Sequence, residues 1–80
     1  MAWDKFVKPA FITVWSRLPA NEKQAITQTM EYLARNPREY KPLPVQLMNG
    51  DLLIAVLQYW IQYRLDEAQH RVIFIRLRTD

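Results

Sequence analysis

The basic side chains of this 80-residue chain are concentrated near its end, where four arginines fall in the last quarter. Two stretches around them have a two-residue repeat in their side chains. In a β-strand, side chains two residues apart point to the same face. The two faces predicted in this way carry Trp60, Gln62 and Arg64 on one strand and Phe74, Arg76 and Arg78 on the other. Guanidinium groups neutralise phosphates and aromatic rings stack on bases, so neighbouring strands of this kind predict a nucleic-acid-binding surface. The alternative is an ordinary solvated face, because antiparallel sheets commonly leave one side in water.

Two further side chains offer chemistry outside these strands. His70 is the only histidine, and a ring that titrates near neutral pH makes it the obvious candidate for a general acid or base. Because it falls in a predicted turn, an exposed side chain without a chemical role is the simpler interpretation. Lys41, between Tyr40 and Pro42, offers another phosphate contact or is plain surface. The hydroxyls of Tyr59 and Tyr63 fall on the opposite, core face of their strand, where tyrosines more often pack.

Other kinds of site lack the residues they need. The sequence has no cysteine and a single glycine, so it can build neither a thiolate metal site nor a glycine-rich phosphate loop. It also shows no metal-ligand spacing and no nucleophile paired with a base. We therefore expect neither a metal nor a cofactor.

The longest apolar run, Leu52–Leu57, comes just before the first alternating stretch. Aliphatic side chains at this density predict a strand that is covered on both faces. Helices of the chain can cover one face only. We therefore expect Leu52, Ile54 and Val56 to meet a partner protein.

Turn signals bound these strands. Asn49-Gly50 separates the run Val45–Met48 from the long apolar run, and this dipeptide favours a hairpin because both residues accept a positive φ. A second turn at Asp66–His70 leads into the alternating strand Arg71–Arg78. In that last strand, alternation puts Ile73, Ile75 and Leu77 on the face opposite Val72, Phe74, Arg76 and Arg78.

The first half of the chain predicts two helices after a short edge strand within residues 1–7. Proline is tolerated in a first helical turn, so helix one runs from about Pro9 to Arg17, and Pro19 ends it. Asn21 and Gln24 have the spacing of a capping box at the start of helix two, which ends at Asn36-Pro37. Its predicted buried stripe is Ala25, Ile26, Thr29, Met30, Leu33 and Ala34.

This order of elements predicts an α+β fold, with an N-terminal helical hairpin packed on one face of a small, mainly antiparallel sheet of three to four strands. Residues 1–80 form one domain. A chain of this length buries only about 60% of its unfolded surface, so it is marginally stable without a partner. Half of the residues are apolar, so we expect the apolar surface that this small core cannot bury to lie in an interface. The amino terminus lacks the apolar stretch of a signal peptide or membrane span, which favours a cytoplasmic protein.

Several segments also resemble a known family. In order, they are RLPANEKQAI, YLARNP, KPL and NGDLLIAVLQYWIQYRLDEAQHRVIFIRL. A leucine-proline before helix two, a helix ending in Asn-Pro and a late Tyr-rich strand followed by a short turn are typical of the RelE/ParE superfamily of bacterial type II toxins. The resemblance spans roughly Phe6 to Arg78, and the order and spacing of the segments carry it.

The resemblance implies a small toxin that is wrapped by a cognate antitoxin as a hetero-oligomer. RelE-like members cut messenger RNA on the ribosome, which implies that this chain is an endonuclease inhibiting translation. In that role Arg64, Arg76 and Arg78 would bind phosphate, and His70 would carry a proton. The nucleic acid would also contact Lys41, Trp60, Gln62 and Phe74. The antitoxin would contact Leu52, Ile54 and Val56.

The sequence departs from the RelE pattern at two cationic positions. Trp60 stands where RelE-like nucleases have an arginine, and Ile54, Ala55 and Val56 occupy the strand that often supplies another basic residue. One lost charged stabiliser of a transition state can cost on the order of 3 kcal/mol. These departures favour the alternative, a ParE-like gyrase inhibitor or an inactive toxin fold that only binds its partner.

Overall fold

A computed structural model describes residues 2–38 and 45–79 of the chain. Seven elements follow one another in these ranges: β1 (Asp4–Val7), α1 (Pro9–Trp15), α2 (Ala20–Arg35), β2 (Val45–Gln46), β3 (Leu52–Val56), β4 (Tyr59–Asp66) and β5 (Arg71–Thr79). The described strands form one five-stranded sheet in the order β1-β5-β4-β3-β2. All neighbours are antiparallel except β1, which pairs parallel to β5. The α+β prediction is confirmed, with one strand more than expected.

Both helices pack on one face of the sheet, where the core lies. Helix α2 buries Ile26, Met30, Leu33 and Ala34, which fall within the stripe predicted from sequence. Phe11 of α1 is also buried, and the strands contribute Ile54, Tyr59, Ile61, Tyr63, Val72, Phe74 and Leu77. Because the described helices cover only this face, the opposite face of the sheet is left without a helix.

Helix α2 begins one residue earlier than the sequence predicts. Pro19 is the N-cap, and its carbonyl accepts the backbone N–H groups of Glu22 and Lys23 at 3.0 and 2.9 Å. Asn21 therefore lies inside the first turn, and no side-chain hydrogen bond caps the helix. The predicted capping box is wrong because the proline carbonyl already accepts the first N–H groups.

The β2–β3 connection confirms the hairpin but not its expected turn. Of the two turn residues Asn49 and Gly50, only Gly50 has a positive φ, at 92°. The backbone N–H of Gly50 donates to the Leu47 carbonyl at 3.0 Å. The backbone N–H of Leu47 donates to the Asp51 carbonyl at 2.7 Å and closes the loop. A turn followed by a left-handed glycine is the usual form of a longer hairpin loop.

A second hairpin has no signal in the sequence. Val56 pairs with Tyr59, so Leu57 and Gln58 form a two-residue turn between β3 and β4. Leu57 has φ +57°, a conformation that costs a residue with a Cβ roughly 1–2 kcal/mol. The sequence shows no glycine, proline, asparagine or aspartate at these two positions, which is why the apolar run and the alternating run look continuous.

Candidate nucleic-acid interface

The face of the sheet without helices carries the predicted polar and cationic residues of β4 and β5. Gln62 pairs with Arg76, and Trp60 pairs with Arg78. Arg64 is two residues from Gln62, so its side chain leaves the strand on the same side. We call this set the arginine face: Trp60, Gln62, Arg64, Arg76 and Arg78.

A β-bulge in β5 produces this arrangement. Tyr63 pairs with Phe74 but Gln62 pairs with Arg76, which leaves Ile75 as an extra residue without a partner in β4. An extra residue reverses the alternation beyond it. Val72 and Phe74 therefore point into the core before the bulge, and Leu77 does so after it.

Phe74 is not a nucleic-acid-binding residue in this arrangement. Its side chain is fully buried, 5.9 Å from the ring of Phe11 and 6.4 Å from that of Tyr63 between ring centroids. The prediction that it shares a surface with Arg76 is wrong, because strict alternation was assumed across the bulge. Arg76 and Arg78 remain on the predicted face with Trp60.

Two of the three arginines of β5, Arg76 and Arg78, are available for a ligand. Arg76 is exposed, and Arg78 and Trp60 are half-buried. Within residues 2–38 and 45–79, no ion pair or hydrogen bond engages the side chain of either arginine. Two guanidinium groups two residues apart beside an indole ring are the elements of a phosphate and base-stacking site.

Arg64 is instead held by a buried carboxylate that the sequence analysis did not single out. Asp51 is 2% exposed and lies directly before β3. Its Oδ1 accepts the Arg64 Nε–H at 2.6 Å, and its Oδ2 accepts the side-chain amides of Gln62 at 2.8 Å and Asn49 at 3.2 Å. The Asp51 backbone N–H donates to Asn49 Oδ1 at 3.0 Å, which fixes the carboxylate in the hairpin.

The network keeps Asp51 ionised. Burial alone would raise the pKa of Asp51, but the hydrogen bonds from Gln62 and Arg64, the Arg64 charge and the Asn49 amide together lower that pKa below its ordinary value. About half of the Arg64 side chain stays exposed while its Nε is bound. Arg64 is therefore a fixed cation at the edge of the arginine face.

His70 lies far from Arg76 and Arg78. It occupies the turn between β4 and β5 with φ +55°, and its ring stacks on Trp3 at 4.4 Å between centroids. Six residues of extended strand separate it from Arg76, a distance of about 20 Å. The prediction that one site combines His70 with Arg76 and Arg78 is wrong, because the turn is at the opposite end of β5.

Arg71, the remaining arginine of the last strand, is occupied. Its Nε donates to Asp66 Oδ2 at 3.1 Å, and its guanidinium lies 5.1 Å from the ring centroid of Phe6. The contact with Asp66 joins the start of β5 to the end of β4, and the contact with Phe6 joins it to β1. Arg71 therefore has a structural role at that end of the sheet.

The tyrosine hydroxyls do not reach the arginine face. Tyr59 donates to Glu22 Oε1 of α2 at 2.5 Å, and this hydrogen bond raises the Tyr59 pKa above its ordinary value. Tyr63 is fully buried on the same, helix-covered face. Among the described residues, the arginine face thus contains cations, an amide and an indole, together with the tied carboxylate of Asp51.

The residues expected to meet a partner lie on the core face of β3. Leu52, Ile54 and Val56 pair with Tyr63, Ile61 and Tyr59. Ile54 is 3% exposed, and the other two are half-buried against the core. The prediction of a partner surface is wrong for Ile54, because α2 packs on β3 and covers it. Lys41, the last predicted contact, lies outside the described residues.

An apolar groove opens on the helical side instead. It has a volume of about 360 Å³ and lies between β1, α1 and α2, lined by Lys5, Val7, Phe11, Ile12, Trp15, Thr27, Met30 and Glu31. Lys5 and Glu31 form an ion pair at its rim, and Ile12 is 47% exposed. The Trp15 Nε1–H is buried and has no hydrogen-bond partner within the described ranges.

No three histidine, aspartate or glutamate side chains of the described ranges come close enough to hold a metal ion. Neither α1 nor α2 is long and apolar enough to cross a membrane.

No family model and no curated protein matches the sequence. Solved structures do match the fold. The isolated RelE toxin of E. coli superposes with a TM-score of 0.82 at 14% identity, over 98% of this chain and 84% of that one. The toxin-antitoxin complex RelBE2 of Mycobacterium tuberculosis gives 0.81 at 16% identity, over 100% and 93%.

A third similar structure, the archaeal RelE-RelB complex of Pyrococcus horikoshii OT3, gives a TM-score of 0.77 at 11% identity, over 99% of this chain and 96% of that one. All three comparisons cover nearly the whole chain at low identity. The resemblance identified in the sequence is therefore confirmed at the level of the fold, and this chain has the fold of the RelE toxins.

Proposed function

We propose that the protein is the toxin component of a bacterial type II toxin-antitoxin system and that its target is messenger RNA on the ribosome. The observation that carries this proposal is the arginine face. Arg76 and Arg78 lie beside Trp60 on a sheet face without a helix, and no described residue neutralises them. A RelE-like fold with this face suits the backbone and bases of a single-stranded RNA.

Arginines on this face can assist cleavage by stabilising charge. An RNA phosphodiester is cut when its own 2′-hydroxyl gives its proton to water and the 2′-oxygen bonds to the adjacent phosphorus, while the bond to the 5′-oxygen breaks and that oxygen takes a proton from water. Negative charge then builds on the phosphoryl oxygens, where fixed guanidinium groups stabilise the transition state. Arg64, Arg76 and Arg78 would supply this stabilisation, and Trp60 would hold a neighbouring base.

The test is induction of the protein in growing bacteria. We expect growth arrest in which protein synthesis fails before DNA synthesis and ribosome-bound messages are cut. The Arg76→Ala/Arg78→Ala double variant should lose the arrest while still folding. Full toxicity of that folded double variant would contradict the role given to the arginine face.

A second function is favoured by the absence of a proton carrier. Among the described residues of the arginine face, none has a side chain that titrates near neutral pH, and His70 lies about 20 Å from Arg76 along β5. A toxin that binds its target without cutting it would need no such group. Arrest with intact messages supports this candidate, and DNA synthesis that fails first identifies gyrase as the target.

We also propose that a cognate antitoxin binds the apolar groove between β1, α1 and α2. Two of the similar structures described above are toxin-antitoxin complexes, and so is the E. coli RelBE complex, which gives a TM-score of 0.70 at 12% identity. The groove exposes Ile12, and its lining is mostly apolar, with the Lys5–Glu31 ion pair at the rim. A partner segment with apolar side chains would fit this lining.

A further inference from the structure

Asp51 is a buried charge that the proposed function does not use. Its carboxylate is bound by side chains of the arginine face, and only 2% of the residue's surface is exposed. Three side chains donate to its two oxygens, and two of them, Gln62 and Arg64, belong to the arginine face. Carboxylates are rarely fully buried, and those that are buried are usually paired. The presence of such a buried, paired carboxylate beside the arginine face needs a physical explanation.

The geometry of the ion pair restricts Arg64 without hiding it. The bond to Asp51 uses the Nε–H, which is one of the five donor hydrogens of a guanidinium. About half of the side chain remains exposed. A planar guanidinium that is fixed through Nε can rotate little, while its terminal nitrogens stay free to meet a phosphate.

We propose that Asp51 is a positioning residue that holds Arg64 and Gln62 in place to receive a phosphate of single-stranded RNA. This inference rests on the proposed function. A long side chain loses rotamer freedom when it binds a ligand, and Asp51 removes that freedom before the RNA arrives. Asn49 holds Asp51 in turn, so the β2–β3 hairpin sets the position of an arginine on β4.

The direction in which Asp51→Asn changes RNA affinity distinguishes a positioning role from a purely electrostatic effect. Asp51→Asn removes a negative charge next to the arginine face, so electrostatics alone predicts tighter RNA binding. Positioning predicts the opposite, a loss of about fivefold, because Arg64 must then be ordered by the RNA itself. Asp4→Asn is the matched control, since Asp4 is exposed on β1 and its loss changes the net charge equally. Affinity for a single-stranded RNA oligonucleotide is the measurement.

A double-mutant cycle tests whether the effect acts through Arg64. In an Arg64→Ala background, Asp51→Asn should cost much less than fivefold, since no guanidinium remains to be positioned and only Gln62 is affected. In an Arg78→Ala background it should still cost about fivefold. An equal loss in both backgrounds would show that Asp51 acts only through general stability and would overturn the inference.

A measurement on the unaltered protein covers the case in which Asp51→Asn fails to fold. NMR relaxation of the arginine Nε–H groups should show an ordered Arg64 and a mobile Arg76 in the RNA-free state. Equal mobility of the two groups would overturn the positioning role while leaving RNA binding intact. Failure of the unaltered protein to bind any RNA would overturn the proposed function and this inference with it.

Discussion

Phe74 and Arg76 are two residues apart on one strand, yet their side chains lie on opposite faces of the sheet. Phe74 pairs with Tyr63 and is fully buried, whereas Arg76 pairs with Gln62 and is exposed. The extra residue, Ile75, reverses the alternation between them. A regular strand would put both side chains on one face, so the bulge is what separates the core from the arginine face.

The bulge predicts different roles for the aromatic residues Phe74 and Trp60. Phe74→Ala should lower the free energy of unfolding by about 3–5 kcal/mol, because it removes a fully buried ring. Trp60→Ala should cost less stability but weaken binding to single-stranded RNA by about 1–3 kcal/mol, the usual contribution of a stacked base. Urea unfolding and RNA titration measure the two effects. A folded Phe74→Leu variant with impaired RNA binding, beside an unimpaired Trp60→Ala variant, would contradict these roles.

Asp51 predicts a loss of stability in acid. Its pKa is lowered in the folded protein, so its contribution is fully present above the unfolded value of about 3.9 and is lost as the pH falls through the folded pKa. Asp51→Asn should therefore flatten the decline of the free energy of unfolding below about pH 4. Glu31, whose pKa is lowered by the hydrogen bond from Lys5, supplies part of the decline that remains. Urea unfolding between pH 2 and 7 is the measurement, and identical curves for the two proteins would disprove this contribution.

The turn between β3 and β4 predicts a stabilising substitution. Leu57 has φ +57° and is 59% exposed, so it carries backbone strain and buries little apolar surface. Leu57→Gly should raise the free energy of unfolding by about 0.5–1 kcal/mol, because glycine adopts a positive φ without steric cost. Leu57→Ala keeps the Cβ and should give no gain. Equal stabilities of the glycine and alanine variants would argue against strain at this turn.

The groove predicts where a partner binds. Ile12→Glu should weaken the complex with a co-encoded antitoxin by roughly 2 kcal/mol or more, since it places a charge against an apolar lining. Thr13→Glu adds the same charge at an exposed neighbouring position of α1 and serves as the control. Calorimetric titration of both variants measures the difference. A larger loss in Thr13→Glu would place the antitoxin elsewhere.

The sequence predicted the elements whose patterns are regular. The stripe of α2 and the alternation of β4 follow from periodicity, and Gly50 marks the β2–β3 hairpin. Patterns fail where a single residue breaks the rule. Ile75 is an aliphatic residue like Ile73 and Leu77 of the same strand, so its type gives no sign of the bulge, and Leu57 is an unusual residue for a tight turn.

The sequence predicted only part of the site, because only some of its residues follow a regular pattern. Trp60, Arg76 and Arg78 were found by alternation within short stretches that do not cross the bulge at Ile75. Asp51 was missed because its importance comes from contacts with β4, and such tertiary contacts have no spacing signal along the chain. His70 was included for its chemistry alone, and only the length of β5 shows that it lies too far away.

The central claim is that Arg76 and Arg78 contact RNA phosphates, and the salt dependence of RNA binding tests it most directly. Each phosphate contact to a single strand contributes about 0.7 to the slope of log affinity against log salt concentration. The Arg76→Ala/Arg78→Ala variant should therefore lose about 1.4 from that slope, with much weaker binding at low salt. Lys8→Ala/Arg17→Ala, which removes two exposed charges outside the arginine face, should keep the parent slope. Equal slopes for the parent and the arginine variant would contradict the account.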